Sequence, residues 1–483
     1  MSATDAVVDA ADPIDTKPPR VTCRPAARVS WPNAMRMTLT HRFGGEGGLY
    51  NALAAHDFSR ARVGNRTMVC VAHPDYLEAV LSAPQEQFVR ENEFALFRST
   101  NGGGSRALVT DDGESWARHR GLFNPVFAKR HINGLFDLMA EPARVTADRL
   151  LLKDVERIDI TELMNTTALD VLGAGLFSRR MDDYYEASKG MEENNRAFDL
   201  LERAMFCYNP KPWMWTAFVR VWESKIPLPR VSEAQAFYRW FSAAVKDTVD
   251  DRRANPSDRP DLLNQLLQIR DGDKPLSDNR IRAEMMQFVS AGHETTSLTL
   301  SAMWWLLAQH PDVYDEMLTE VDKVLDGRLP TLADLPKLVF TQACFDEALR
   351  LYTPTWQTFR IPRSDMMIGS HHVAAGTSIL IPVLAVHHDR RFWPNPERFD
   401  PSRFLPGAPE RPRYSYIPFL DGRRICIGRG FALMEALLIT ALVSQRVRFE
   451  PIVGQHFDPE YGLILRPRNG LAVTVRRRQQ TAR

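Results

Sequence analysis

Phe419-Leu420-Asp421-Gly422-Arg423-Arg424-Ile425-Cys426-Ile427-Gly428 runs directly into an apolar stretch, Gly430 to Gln445, whose spacing predicts a helix. A cysteine at that junction meets unpaired backbone N–H groups and the positive end of the helix dipole, which favour a thiolate over a thiol. Gly422 and Gly428 predict close passage of the backbone past a large flat ligand. Arg424 adds a fixed positive charge two residues before the sulfur. The remaining cysteines, Cys23, Cys70, Cys207 and Cys344, lack any such context and read as small buried hydrophobes. With Cys426 they total five, an odd number, and the absence of a C-x-x-C pair argues against a zinc ribbon or redox disulfide and fits a reducing, cytoplasmic setting.

Upstream, Ser277 is a plausible helix cap and Pro311 a stop, with no breaker before Gln309. A helix from Ser277 to Gln309 would be about 50 Å long at 1.5 Å per residue. Inside it lies Ala291-Gly292-His293-Glu294-Thr295-Thr296. A helix-interior glycine costs about 1 kcal/mol relative to alanine, so Gly292 needs a reason, and room for a small ligand is one. Thr295 is expected to bond back to the carbonyl of Ala291. A zinc-protease reading of His293-Glu294 fails because Ser297 stands where the second histidine belongs.

Further motifs lie on other helices. Trp116 and Arg120, at i and i+4, share a face of the helix opening after Asp111-Asp112-Gly113-Glu114. Glu347 and Arg350, three apart, are positioned to pair. Strand-like stretches are short, as in Thr67 to Val71 and Thr377 to Val386, so a mainly α fold with small β-sheets is predicted.

In their order these segments resemble the cytochrome P-450 family, over Asn51 to Arg468. Phe419, Gly422, Arg424, Cys426 and Gly428 match its haem-loop pattern F-x-x-G-x-R-x-C-x-G, with Leu420 in place of the usual small or polar residue. Ala291 to Thr296 resemble its A/G-G-x-D/E-T-T/S motif. Glu347 and Arg350 match E-x-x-R, and Pro396-Glu397-Arg398-Phe399 matches P-E-R-F, whose arginine would join that ion-pair cluster. Trp116, Arg120, Arg360 and Arg424 align with groups that hold haem propionates. The weakest region is Asp154 to Pro275, which carries no signature.

The resemblance implies haem b with its iron on the Cys426 thiolate, a ligation for which this family is the standing example. It implies a monooxygenase that uses O2 and two electrons, with Glu294 and Thr295 routing protons. The electrons would come from a ferredoxin or flavodoxin with its NAD(P)H-dependent reductase, since 57 residues beyond Cys426 hold no redox module. Arg118, Lys129, Arg130, Arg423 and Arg429 are candidates for the docking face. Phe288, Ala291, Thr295, Thr355 to Phe359, Phe94 to Ala107 and Tyr461 to Ile464 are expected to line a pocket for a small apolar substrate, lipid-like or fatty-acid-like. A peroxide-driven haem enzyme or isomerase, and a haem sensor or carrier, are the alternatives.

Length alone argues for two or three domains. No Gly/Ser-rich linker or repeat interrupts the 483 residues, so a single domain over 31–483 is predicted behind a flexible tail, 1–30, with a frayed basic end at Val475 to Arg483. Sixty-one basic against 60 acidic residues leave a net charge of +1, giving no global attraction to nucleic acid. No signal peptide or 18-residue apolar run is present, so no membrane anchor is expected.

Overall fold

The structure is a computed structural model and describes residues 27–29, 49–63, 66–89, 106–152, 155–179, 181 and 231–478. The expected loop Phe94 to Ala107 lies outside these residues up to 105, as do Cys23, Cys207, 182–230 and 479–483. Six helices frame the site: α1 (Gly113–Phe123), α2 (Phe136–Leu150), α3 (Ile160–Phe177), α4 (Asp278–Gln309), α5 (Val339–Leu351) and α6 (Arg429–Ser444). Helix α4 begins where the capping residue predicts, Ser277 Oγ accepting the Arg280 N–H at 3.2 Å. From Leu300 to Ala308 it is buried on every side, the mark of a helix that runs through a core rather than over it. Helices α3 and α6 pack on it and on each other, at glycines: an added Cβ at Gly175 would stand 2.8 Å from the Phe431 ring.

A six-stranded sheet covers one side. Its strands are β1 (Ala27–Val29), β2 (Phe58–Val63), β3 (Arg66–Val71), β4 (Phe88–Val89), β5 (Thr358–Pro362) and β6 (Ser378–Ile381), in the order β1-β2-β3-β6-β5-β4. Strand β6 is parallel to β3 and antiparallel to β5. A short hairpin of β7 (Pro459–Tyr461) and β8 (Leu465–Pro467) closes another edge.

Three expectations change. The strand predicted to Val386 ends at Ile381, because Pro382 removes a ladder donor and Val383–His387 turns into a helix. Most of the predicted tail lies outside the described residues, but Ala27–Val29 within it pairs with β2. The basic end is ordered as far as Arg477, in a strand, Ala472–Arg477, that pairs with Val447–Pro451. No helix among the described residues is long and apolar enough to cross a membrane.

Candidate active site

A cavity of about 280 Å³ opens between α4, α1 and the segment before α6. Its walls are apolar: Leu108, Val109, Phe127, Leu172, Leu176 and Phe288 among others. Phe288 meets Phe127 edge-on, ring centroids 5.1 Å apart. Cys426 lines this cavity and is exposed, in contrast to Cys70 and Cys344, which are both 0 % exposed. Protein nevertheless surrounds it on all sides, so the surface it exposes is the cavity's. Burial pushes the Cys426 thiol up; the backbone N–H groups of Gly428 and Arg429 and the charges of Arg120 and Arg429 pull against it. The helix end expected to favour a thiolate does act, but burial outweighs it until a cation is bound beside the sulfur.

The loop that presents the sulfur is closed by a backbone bond from the Cys426 N–H to Phe419 O at 2.9 Å. Phe419 and Gly428 line the cavity. Gly422 does not, and its role differs from the one expected. Its φ is +70°, and a Cβ there would meet the carbonyl oxygen of Leu81 at 1.9 Å. The glycine is needed for the turn and for a backbone neighbour. Leu420 adopts φ +58° without being glycine, a conformation that small or polar residues tolerate better.

Trp116, Arg120 and Arg424 converge on one edge of the cavity. The Arg424 guanidinium lies 3.9 Å from the centre of the Trp116 ring and donates to Asp111 O and Asp112 Oδ1, both at 3.1 Å. Arg120 donates to Asn124 Oδ1 at 2.8 Å and has no carboxylate partner among the described residues. Burial pulls Arg120 down and the nearby Cys426 pulls it back up. Arg360 is buried on β5, donating to Phe359 O at 2.8 Å, and is not part of the cavity wall. Tyr461 to Ile464 are also absent from the wall; Tyr461 packs instead on Trp356, 5.1 Å between ring centres.

Helix α4 supplies Gln287, Phe288, Ala291, Gly292, Thr295, Thr296 and Thr299 to the wall. Thr295 Oγ1 donates to Ala291 O at 2.8 Å, as the sequence predicts. Gly292 serves packing as well as space, since a Cβ there would press on Leu172 of α3 at 3.1 Å. Glu294 points elsewhere. It is 7 % exposed, and its Oε1 lies 3.4 Å from Nη1 of the equally buried Arg466 on β8.

Behind the loop, Arg350 makes a two-pronged contact with Glu347, 2.7 Å from Nε and 2.8 Å from Nη2, with both residues 0 % exposed. The arginine that joins them is Arg403, Nε to Glu347 Oε1 at 3.3 Å. Arg398, expected there, is exposed and offers only its carbonyl to Arg350. Pro401-Ser402-Arg403-Phe404 repeats the P-x-R-F spacing five residues on; in the first copy Arg398 is exposed although Pro396 and Phe399 are buried.

The arrangement suits a flat, largely apolar ligand that bears acid groups at one edge and a sulfur-binding metal at its centre. Comparison with known proteins agrees. The cytochrome P450 family profile matches residues 50–475. A Mycobacterium tuberculosis protein named cytochrome P450 132 is 38% identical over 94% of this chain and 97% of its own length. Cyclooctat-9-en-7-ol 5-monooxygenase of Streptomyces melanosporofaciens is 31% identical over 83% of this chain and 85% of its own. Human cytochrome P450 4V2 is 28% identical over 87% and 82%. With a cysteine opening into an apolar cavity beside a long, largely buried helix, and with matches spanning nearly all of its length, the chain belongs to the cytochrome P450 family of haem-thiolate oxidoreductases.

Proposed function

We propose that this chain is a monooxygenase that inserts one atom of O2 into an apolar, lipid-like substrate, with haem b held by Cys426. The observation that carries the reading is the single sulfur opening into an apolar cavity whose opposite resource is the Thr295 hydroxyl. When bound, haem supplies the activation of O2 that the thiolate's electron donation favours. Arg120 and Arg424, the latter braced over the Trp116 ring, would hold its acid groups at the cavity edge. The monooxygenase among the relatives named for an alcohol of a cyclic hydrocarbon supports a bulky apolar substrate. Residues 31–483, together with the strand Ala27–Val29 that pairs with them, would act as one domain, in the cytoplasm.

Thr295 commits its hydroxyl proton to Ala291 O and retains lone pairs at the wall to accept another hydrogen bond; it can donate there once that backbone bond is given up. The Arg466 Nη1 contact occupies Oε1 of Glu294, so a proton would pass through Oε2 or follow release of Oε1. Thr295→Ala should therefore fold and consume NAD(P)H, yet form product on the order of 10²-fold more slowly, the scale of a lost proton donor, and release more hydrogen peroxide. Thr295→Ser should recover much of the coupling, and Glu294→Gln should slow turnover more than it uncouples it. The measurement is product and peroxide per NAD(P)H. Coupling unchanged in Thr295→Ala would favour a peroxide-driven or isomerase reaction.

Electrons would enter from a separate acidic ferredoxin or flavodoxin on the face carrying Lys129, Arg130, Arg423 and Arg429, all exposed. Arg118, expected among them, is paired with Asp271, which cancels its charge. Arg423→Glu and Arg429→Glu should slow reduction several-fold, Arg118→Glu much less. Raising ionic strength should slow the wild type, because screening acts over about 10 Å at 0.1 M. Reduction independent of salt and of both reversals would remove this face.

A further inference from the structure

One polar side chain of the cavity wall is more than nine-tenths buried and still has no hydrogen bond among the described residues. Gln287 is 8 % exposed, lines the cavity, and its amide makes no hydrogen bond among the described residues. It stands on the same face of α4 as Ala291, Thr295 and Thr299, at successive four-residue steps. Its Cα is about 12 Å along the helix from that of Thr295. Much of the described wall it shares, Phe288, Leu108, Val109, Leu172 and Leu176 among others, offers no polar side-chain atom. A buried amide left without a partner costs free energy comparable with a lost hydrogen bond. Water can satisfy it while the cavity is open, and a ligand that displaces that water must replace its bonds.

On the monooxygenase reading above, we infer that Gln287 anchors the substrate through a neutral oxygen function, so that the substrate class is an apolar body bearing a hydroxyl or carbonyl rather than a plain hydrocarbon or a free carboxylic acid. A primary amide donates and accepts at once, so it serves an alcohol or a ketone equally. A carboxylate at this position would surrender its hydration for one uncharged contact, which disfavours it. The cations of the described wall, Arg120 and Arg424, stand with Trp116 at the edge near the Cys426 loop, where the cofactor's acid groups belong. Anchoring at Gln287 directs carbons several bonds away from that oxygen towards the Ala291–Thr295 turn.

The test uses the haem-loaded full chain and four ten-carbon probes: decane, 1-decanol, 2-decanone and decanoate. Equilibrium binding is measured by calorimetry on wild type, Gln287→Leu and Gln287→Glu, with the thiolate absorption signature recorded on each sample. Wild type is expected to bind the alcohol and the ketone about three- to ten-fold tighter than decane and decanoate, the range of one net hydrogen bond. Gln287→Leu, similar in size and apolar, should erase that preference while keeping decane affinity. Gln287→Glu should discriminate against the ketone, which cannot donate to a carboxylate, more than against the alcohol. Equal binding of all four probes, tightest binding of decanoate, failure of both oxygenated probes to bind, or a preference that survives in Gln287→Leu overturns the inference. Loss of the thiolate signature in the wild type would instead overturn the haem-thiolate reading beneath it, so the two failures are told apart in one data set.

Discussion

Cys426→Ser is expected to give a folded protein whose ferrous carbon-monoxide complex lacks the red-shifted absorption band of thiolate ligation and whose turnover falls to background. Altering an outer-shell partner of a metal ligand already costs about 10- to 100-fold, so replacing the ligand itself should exceed that range. The fold should survive, because the loop is closed by backbone atoms, Cys426 N–H to Phe419 O, which serine reproduces. Cys344→Ser is the internal control: its thiol is buried on α5, where burial and the nearby Glu320, Glu316 and Glu347 push it far up. It should keep both the band and the activity. Survival of the band in Cys426→Ser would remove the central assignment.

That assignment could be read from the sequence because the residues that mark the Cys426 loop are consecutive. Ten consecutive residues and the helix after them carry the cap, the turn and the charge, and α4 likewise announces itself from Ser277 to Pro311 in one uninterrupted pattern. Contacts between distant segments were not legible. Arg466 lies 172 residues from Glu294, and nothing in the β8 sequence marks it as the partner that holds the helix carboxylate. Asp112 lies 312 residues from Arg424, so an arginine read as reserved for a cofactor already has an acidic neighbour. At Gly422 the structure shows a constraint no local reading could supply: the carbonyl of Leu81 stands where a Cβ would be, which belongs to tertiary packing. Gln287 drew no attention because a glutamine in a helix is ordinary until its surroundings prove apolar.

The choice between Arg398 and Arg403 has a large energetic consequence. Glu347 is 0 % exposed, and burial pushes its carboxyl up while Arg350 holds it down. Glu347→Ala leaves the fully buried Arg350 without a counter-charge, so it should destabilise the protein by about 3 to 5 kcal/mol and yield little haem-loaded material. Glu347→Gln keeps an acceptor for one guanidinium N–H and should cost less. Arg403→Ala removes a side chain that also donates to Pro394 O and Asn395 O, so it should cost about 1 to 3 kcal/mol. Arg398→Ala, at an exposed site whose contribution is a backbone carbonyl, should stay within about 0.5 kcal/mol. Urea unfolding together with haem content separates the four variants. The reading fails if Arg398→Ala is as damaging as Arg403→Ala, or if Glu347→Ala proves stable and fully haem-loaded but inactive. In that last case the carboxylate would belong to the chemistry, whereas its contacts, Arg350 and Arg403 on one side and the Asp400 N–H at 3.1 Å on the other, tie it to the segment that leads into the cysteine loop and give it no access to the cavity.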